Sequence, residues 1–132
     1  MVEKEAQNCS AGFENARKGV NTMNNIKIFR ANRGEGKTKW LADKVKECTD
    51  AGLDVYYIGW DETFKHVKRV YEAMYSEKCP LKYHVHVEMN ENTCFFTDEL
   101  FANMAAVLPY KPHIVERGYK WFVTMNKEDF VN

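Results

Sequence analysis

The sequence has no long hydrophobic run and no excess of charge of either sign. No apolar stretch in its 132 residues approaches the roughly 20 residues that span a bilayer, and its first residues, MVEKEAQ, are too polar for a signal peptide. The 19 Lys and Arg residues balance 19 Asp and Glu residues, so the net charge does not support general nucleic-acid or anionic-membrane binding, although a local basic patch is compatible with it. We therefore expect a cytoplasmic protein without membrane contact.

Cysteine is scarce and is not spaced for metal binding. No two of the four cysteines form a C-x-x-C pair, and none of their spacings matches a zinc site. Without a secretory signal we expect free thiols, as in a reducing compartment. Hydrophobic residues nevertheless make up 45% of the chain and aromatic residues 14%, which is enough for the core of one domain. The four residues are Cys9, Cys48, Cys79 and Cys94.

The hydrophobic pattern divides the chain into two parts. Residues 1–23 show no sustained period and are predicted to be an N-terminal arm. Residues 24–132 alternate strand and helix patterns with short connections, which predicts one α/β domain with a mainly parallel sheet of about five strands between helices. Strands are predicted at 26–30, 54–59, 83–89, 93–97 and 120–125, and helices at 37–51, from 61 up to Pro80, and at 100–108.

The predicted helices have buried stripes and recognisable ends. In the first helix, Leu41, Val45 and Cys48 recur at helical spacing on one face. Asp61 is expected to cap the second helix, and Pro109 is expected to end the third. The buried stripe predicted for the second helix comprises Phe64, Val67, Tyr71 and Met74.

A glycine-containing segment connects the first predicted strand to the first helix. Residues 31–38 read ANRGEGKT and resemble the Walker A pattern G-x-x-x-x-G-K-[ST] of the P-loop NTPase superfamily, with Ala31 in place of the first glycine. Gly34 and Gly36 allow the backbone to direct successive N–H groups toward an anion, and the dipole of the following helix adds to that field. If position 31 requires a positive φ, alanine will be strained there.

The resemblance implies a phosphate site at this segment. Lys37 would reach the β- and γ-phosphates, and the Thr38 hydroxyl would be a ligand of Mg²⁺. The alternative is a glycine-rich turn with a chance Lys-Thr pair, which the position between a strand and an amphipathic helix makes the weaker interpretation. The predicted phosphate-binding residues are Arg33, Gly34, Glu35, Gly36, Lys37 and Thr38.

A second motif occupies the end of the apolar strand predicted at 93–97. Residues 94–99 read CFFTDE and resemble a Walker B segment. The resemblance implies that Asp98 holds Mg²⁺, usually through water, and that Glu99 polarises the attacking water, as in the Asp-Glu division of the superfamily, whose members often hydrolyse ATP. The alternative is that the two carboxylates only cap the helix predicted at 100–108.

The last predicted strand ends in polar residues that allow two interpretations. Thr124 and Asn126 resemble the position in this superfamily that contacts the γ-phosphate or the attacking water. Asn126 also begins the tetrapeptide N-K-E-D, which satisfies the N-K-x-D pattern of GTPases and would give guanine recognition by Asn126 and Asp129. The Asp-Glu pair and the missing D-x-x-G segment favour the ATPase division.

Three further groups of residues have simpler explanations than function. Arg117 would be an arginine finger only in an assembly and is expected to be a solvated side chain. His84 and His86 share a strand face without a third ligand, which favours an exposed edge strand over a metal site. Aromatic residues near the second predicted strand are expected in the core rather than in base stacking, and these are Tyr56, Tyr57 and Trp60.

The two motifs predict Mg²⁺-dependent binding and hydrolysis of a nucleoside triphosphate, with ATP as the substrate, by a small P-loop ATPase. Lys37 and Glu99 are the predicted catalytic residues, and Thr38 and Asp98 are the predicted metal ligands. The alternatives are a nucleotide-dependent regulatory module with little turnover and a small nucleoside or nucleotide kinase.

The resemblance also predicts where the ligand lies. The strand at 26–30 is expected in the centre of the sheet, flanked by the strand at 93–97, with the ligand at the carboxyl edge. Because the domain is close to the smallest that holds a nucleotide core, a protein partner or a homo-oligomer is expected to complete its function.

Overall fold

The computed structural model describes residues 20–23, 25–84 and 89–127. These residues form a six-stranded sheet, two long helices and a run of short helical turns. The strands are β1 (Val20–Met23), β2 (Ile26–Ala31), β3 (Asp54–Tyr57), β4 (Lys82–Tyr83), β5 (Thr93–Thr97) and β6 (Lys120–Asn126). The long helices are α1 (Lys37–Asp50) and α2 (Asp61–Tyr75), and the turns between β5 and β6 are Leu100–Asn103, α3 (Met104–Val107), Leu108–Tyr110 and Pro112–Glu116.

The strand order across the sheet is β1-β2-β6-β5-β3-β4. Five strands are parallel, and β1 runs antiparallel to β2 at one edge. The predicted α/β fold with a mainly parallel sheet is therefore confirmed. The predicted adjacency of β2 and β5 is wrong, because β6 lies between them and pairs Ile28 with Val123 on one side and Phe96 with Phe122 on the other.

Burial along the strands explains this order. All five residues of β5 and five of the seven residues of β6 are buried, whereas four of the six residues of β2 are only half-buried. A strand that is apolar on both faces is covered only in the interior of a parallel sheet. β5 and β6 therefore occupy the middle, and β2 lies nearer to the β1 edge.

Both edge strands, β1 and β4, lie next to segments outside the described residues. β1 lies in the last four residues of the predicted N-terminal arm, so these residues are part of the sheet; residues 1–19 lie outside the described residues. β4 contains only the beginning of the strand predicted at 83–89, and residues 85–88 lie outside the described residues.

Apolar side chains pack against both faces of the sheet. Leu41 of α1 and Tyr71 of α2 belong to one cluster with Phe96, and Ile114 packs with Phe95 in a second cluster. Because successive residues of a strand point to opposite faces, Phe95 and Phe96 lie in different clusters. Each such fully buried side chain contributes roughly 1.5–3 kcal/mol to folding, so both faces stabilise the sheet that carries the site.

Helix α1 agrees with its prediction. It begins at Lys37 and ends at Asp50, and Gly52 follows with a φ of +84°, which suits a glycine after a helix end. Leu41, Val45 and Cys48 are buried as predicted.

Helix α2 differs from its prediction in three respects. Asp61 is not a cap: it is the first helical residue, Trp60 precedes it without a side-chain cap, and the Asp61 carboxylate pairs with Lys65 at 2.9 Å. Met74 is 39% exposed, because α2 packs mainly against α1 and its fully buried residues are limited to Val67 and Tyr71. The helix ends at Tyr75, before Pro80.

The segment after β5 also differs, because Pro109 does not end the helical structure. Short helical turns continue to Glu116, with Pro109 and Pro112 each in the first turn of its own segment. Proline is tolerated there because the first N–H groups of a helix have no intrahelical acceptor.

Two further predictions concern chain composition. No helix in the described ranges has the length and apolar character needed to cross a membrane. Cys48, Cys79 and Cys94 are buried free thiols, as predicted, and Cys9 lies outside the described residues.

Candidate functional site

The loop between β2 and α1 takes the backbone conformation that its glycines permit. Gly34 has a φ of +81° and Gly36 a φ of +86°, both in the left-handed region. The Glu35 N–H donates to the Asn32 carbonyl at 3.1 Å, which closes the turn. Ala31 remains in β2 and has no positive φ, so the strain considered for alanine at this position does not arise.

The first turn of α1 presents polar groups to solvent at the carboxyl edge of the sheet. Gly36 is the N-cap and supplies no side chain, and the Trp40 N–H is the donor to its carbonyl at 2.9 Å. The N–H groups of the preceding turn lack intrahelical acceptors, and the positive end of the helix dipole coincides with them. This is the local geometry that binds anions at helix N-termini.

The Lys37 side chain lies under the loop and is only 5% exposed. Its Nζ donates to the Asn32 carbonyl at 3.2 Å and lies 3.7 Å from Glu99 Oε2. The ammonium group therefore bridges the loop after β2 and the end of β5. A buried ammonium group requires such partners because its desolvation is costly.

Asp98 joins three elements at the floor of the site. Its Oδ2 accepts a hydrogen bond from the Thr38 hydroxyl of α1 at 2.8 Å. Its Oδ1 accepts from the Thr124 hydroxyl of β6. Asp98 is 1% exposed, and these hydroxyl donors compensate for burial of the carboxylate.

Glu99 has a backbone conformation unusual for a residue with a side chain, with φ +55° and ψ +68°. Its N–H donates to the Thr124 hydroxyl at 2.9 Å, and its Oε1 accepts from the Asn126 amide at 2.8 Å. A left-handed non-glycine residue costs about 1–3 kcal/mol and persists only where its surroundings hold it. The hydrogen bonds with Thr124 and Asn126 provide part of that stabilisation.

Asn103, which the sequence does not single out, supplies the rest. It is fully buried, and its amide donates to the carbonyls of Asp98 and Glu99. Its Oδ1 accepts from the Trp60 N–H at 2.6 Å, so it connects the ends of β3 and β5. An asparagine in an irregular helical segment carries no local signal of this role.

Tyr57 supports the same backbone from β3. Its hydroxyl accepts from the Asp98 N–H at 3.2 Å and donates to the Thr63 hydroxyl at 2.5 Å. Burial raises the pKa of Tyr57, so the hydroxyl stays protonated and remains both a donor and an acceptor.

A cleft of about 350 Å³ lies beside this hydrogen-bonded network, and Asp98, which is buried beneath Thr38, is not part of its lining. Its lining includes predicted site residues, namely Arg33, Gly34, Gly36, Lys37, Thr38 and Glu99. It also includes three residues that sequence reasoning missed: Lys39, His66 and Val70. His66 and Val70 recur at one-turn spacing on α2, but nothing local indicates that this face meets the loop after β2.

Glu35 differs from the other residues of the loop. Its carboxylate Oε1 accepts from the Asn32 N–H at 2.7 Å, so the side chain closes the turn and is exposed rather than part of the cleft lining. Its expected contribution to phosphate binding is limited to its backbone.

Several weaker candidates lie elsewhere. Arg117 lies beside the start of β6, at the opposite edge of the sheet. His84 is within 3.3 Å of the Tyr110 hydroxyl through its Nδ1, and His86 lies outside the described residues. Trp60, expected in the core, is 49% exposed. It lies after the end of β3, and its indole N–H donates to the Ala102 carbonyl at 2.7 Å.

The remaining predicted core aromatics behave as expected, since Tyr56 and Tyr57 are buried. Of the two residues expected to recognise guanine, Asn126 donates its amide to the Glu99 carboxylate, and Asp129 lies outside the described residues.

The donor set limits which metal this site can hold. Within residues 20–23, 25–84 and 89–127, no three His, Cys, Asp or Glu side chains gather in a metal-binding group. The Thr38 hydroxyl and the Asp98 carboxylate are both oxygen donors, and Mg²⁺ typically binds few protein oxygens while keeping several waters. The set therefore fits Mg²⁺ better than a softer metal such as zinc, which prefers nitrogen and sulfur. Comparison with protein-family models, curated proteins and solved structures finds no match to this chain.

Proposed function

We propose that this chain binds a nucleoside triphosphate with Mg²⁺ and hydrolyses it, with ATP as the physiological substrate. The observation that carries the proposal is the 2.8 Å hydrogen bond between Thr38 and Asp98, which are 60 residues apart in the sequence. It joins the Walker A-like hydroxyl to the Walker B-like carboxylate at one point. We also propose that the α/β fold is a three-layer sandwich of the P-loop NTPase type, which is consistent with helical elements on both faces of the sheet.

The loop and the first turn of α1 are suited to a polyphosphate. Gly34 and Gly36 hold left-handed conformations without side chains over the cleft, so the backbone N–H groups can approach an anion closely. Lys37 provides a cation directly beneath them. The cleft of about 350 Å³ lies within the usual volume of small-ligand sites, about 300–1,000 Å³.

The residues of the site divide the work of hydrolysis. Lys37 and the N–H groups of the loop stabilise charge on the phosphates, and this electrostatic stabilisation is often the largest contribution to catalysis. Thr38 and Asp98 would hold Mg²⁺, which would supply positive charge to offset the charge that develops on the phosphate oxygens. Glu99 orients the attacking water through its carboxylate.

The contact between Lys37 and Glu99 has a consequence for this mechanism. The ammonium and the carboxylate lie 3.7 Å apart. A phosphate that takes Lys37 as its partner releases Glu99 Oε2 from that ion pair, while Asn126 continues to hold Oε1. Glu99 Oε2 is then available to orient the attacking water.

The proposal is tested by nucleotide binding and phosphate release in matched variants. Wild type, Lys37→Ala, Glu99→Gln and the control Lys44→Ala are compared in thermal-shift assays with ATP, GTP and dNTPs in Mg²⁺. Lys44 lies on the same helix and pairs with Glu47 away from the cleft. At 100 times its dissociation constant, a nucleotide should stabilise wild type and Lys44→Ala by about 2.7 kcal/mol, and Lys37→Ala should lose most of this gain.

Glu99→Gln separates binding from turnover. It should retain nucleotide binding and lower the rate of phosphate release by about 10²–10⁴, the usual contribution of a general base. If no nucleotide stabilises wild type more than Lys37→Ala, nucleotide binding is refuted. Tight binding with no release of phosphate in wild type would favour the regulatory module, and release only with an added nucleoside or nucleotide would favour the kinase.

A further inference from the structure

A second cleft lies at the edge of the sheet where the parallel strands begin. It has a volume of about 570 Å³. Its lining comes from the start of β2, the start of β6 and the turn before β6, and comprises Asn25, Lys27, Val115, Glu116, Arg117, Gly118, Lys120 and Phe122. β2 spans six residues, or roughly 20 Å, so this second cleft and the Lys37 cleft lie at opposite edges of the sheet.

The charges of the second cleft are unbalanced. Lys27, Arg117 and Lys120 face a single carboxylate, Glu116. Among the described residues, no ion pair joins any of the three cations to a carboxylate. The lining therefore carries an excess of two positive charges; outside the lining, the Glu47 carboxylate attracts Lys27 and the Lys44 ammonium group repels it.

Lys27 is the most constrained of these cations. It is half-buried, and its Nζ lies 5.7 Å from the centre of the Phe122 ring. Burial, followed by the nearby cations Lys44 and Lys120, lowers the pKa of Lys27. An ammonium group in such a place is stabilised when an anion approaches it, because the anion offsets both the desolvation and the repulsion.

The backbone around the cleft is held in place by hydrogen bonds. The Asn25 amide donates to the Ile114 carbonyl at 2.8 Å and to the Tyr119 carbonyl at 2.6 Å. The Gly118 N–H donates to the Ile114 carbonyl at 3.2 Å, with Gly118 at a φ of +78°. The turn that carries Arg117 is thus tied to the start of β2, so the backbone positions that carry the cations of the two elements are fixed relative to each other.

We propose that the second cleft is an anion-binding site for the phosphate groups of a compact polyanion. A phosphate monoester carries about 1.5–2 negative charges near neutral pH and a diphosphate carries more, so either can offset the excess of two, whereas one carboxylate would leave a cation unpaired. The Phe122 ring is stacked on Phe96 at 5.0 Å and is approached by Lys27, so base stacking is not offered here. Recognition depends on charge, and it does not depend on nucleotide hydrolysis at the Lys37 cleft.

The test is a titration with inorganic pyrophosphate, without Mg²⁺, followed by ¹H–¹⁵N NMR. The two clefts report separately, through the amides of Gly118 and Lys120 for the second cleft and those of Gly34 and Gly36 for the Lys37 cleft. Pyrophosphate should shift both sets in wild type. In Lys37→Ala, only the amides of Gly118 and Lys120 should still shift with the wild-type affinity. The failure of one site therefore does not imply the failure of the other.

Variants assign the second site to its cations. Lys27→Met should weaken pyrophosphate binding at Gly118 at least about tenfold, since a hydrogen bond to a charged group is lost. The matched control is Lys68→Met, because Lys68 is also half-buried and lies 5.3 Å from a phenylalanine ring, but outside the cleft. Lys120→Gln, on an exposed side chain, gives a second weakened variant that does not perturb the core.

The outcomes are decisive in either direction. No shift at Gly118 and Lys120, or equal affinity in Lys27→Met, Lys120→Gln and Lys68→Met, overturns the proposal. If a single-stranded oligothymidylate displaces pyrophosphate from this cleft, the phosphate belongs to a nucleic acid backbone. If only small phosphates bind, it belongs to a small phosphorylated molecule, and both results support the phosphate site.

Discussion

Replacing Asn103 with leucine tests how the candidate site is held together. Asn103 is fully buried and its side chain serves three backbone groups: the carbonyls of Asp98 and Glu99 and the N–H of Trp60. Leucine has the same branched side-chain skeleton with somewhat larger end groups, so the substitution removes hydrogen bonds without opening a cavity. The Glu99 carbonyl keeps the Ala102 N–H as a donor at 3.0 Å, so the substitution leaves two buried groups without their main partner, the Asp98 carbonyl and the Trp60 N–H. Each such group costs about 1–3 kcal/mol, which gives an expected loss of about 2–6 kcal/mol in the free energy of unfolding.

The loss is measured by urea denaturation, with the slope of the transition unchanged. Asn92→Leu is the control, because Asn92 is exposed in a turn, and a surface change of this kind should stay within about 0.5 kcal/mol. A loss below about 1 kcal/mol relative to the control would refute the assignment of Asn103 as the residue that connects β3 to the end of β5.

Asn103→Asp gives a sharper version of the same test. The carboxylate retains the oxygen that accepts from Trp60 but has no N–H to donate to the carbonyls of Asp98 and Glu99. If the proposed function is correct, nucleotide binding should be nearly unchanged in this variant while phosphate release falls, because Glu99 is less well held. Equal losses of binding and release would show that Asn103 has only a structural role.

Three further predictions follow from contacts near the two clefts. In Gly59→Ala, the new Cβ would lie 2.8 Å from Asn103 Oδ1, so a loss of about 1–3 kcal/mol is expected in urea denaturation, and wild-type stability would contradict the contact. Thr124→Val removes the hydroxyl that accepts from the Glu99 N–H at 2.9 Å and should cost about 1–3 kcal/mol, most of which Thr124→Ser should restore in the same measurement. Because burial lowers the pKa of Lys27, its charged form destabilises the folded state, so Lys27→Met should unfold less readily than wild type at pH 7. The stability advantage of the variant should shrink as pH rises from the lowered pKa toward 10.5, because in this range the folded wild type has released the Lys27 proton that the unfolded chain still binds. An equal advantage at pH 7 and pH 10 would contradict this prediction.

The parts of the site that could be predicted are those in which the local sequence favours a single backbone structure. Gly34 and Gly36 precede a helix that begins with Lys37 and Thr38, and a loop of this kind forms from its own backbone preferences. The apolar run before Asp98 likewise indicates a strand buried on both faces. These features depend on residues close in sequence, and the structure contains each of them where the pattern indicates.

The parts that could not be predicted depend on contacts between distant segments. Asn103, His66 and Val70 belong to helical segments whose patterns describe only which face is apolar. Their position beside the site follows from how α2 and the turns after β5 pack, and no local residue preference encodes that packing. The same reason explains Met74 and Trp60, whose exposure depends on which neighbours cover them.

By itself, the sequence determined the central strands, the two long helices and the two motifs, because strand and helix periodicity and glycine conformations are local properties. Only the tertiary structure decided the strand order, in which β6 lies between β2 and β5. That order brings Thr124 and Asn126 to Asp98 and Glu99 at one edge of the sheet. At the other edge it gathers the cations of the second cleft. The physical reason is that the order of strands in a sheet follows from the burial of both faces and from long-range pairing, which a local pattern constrains without specifying.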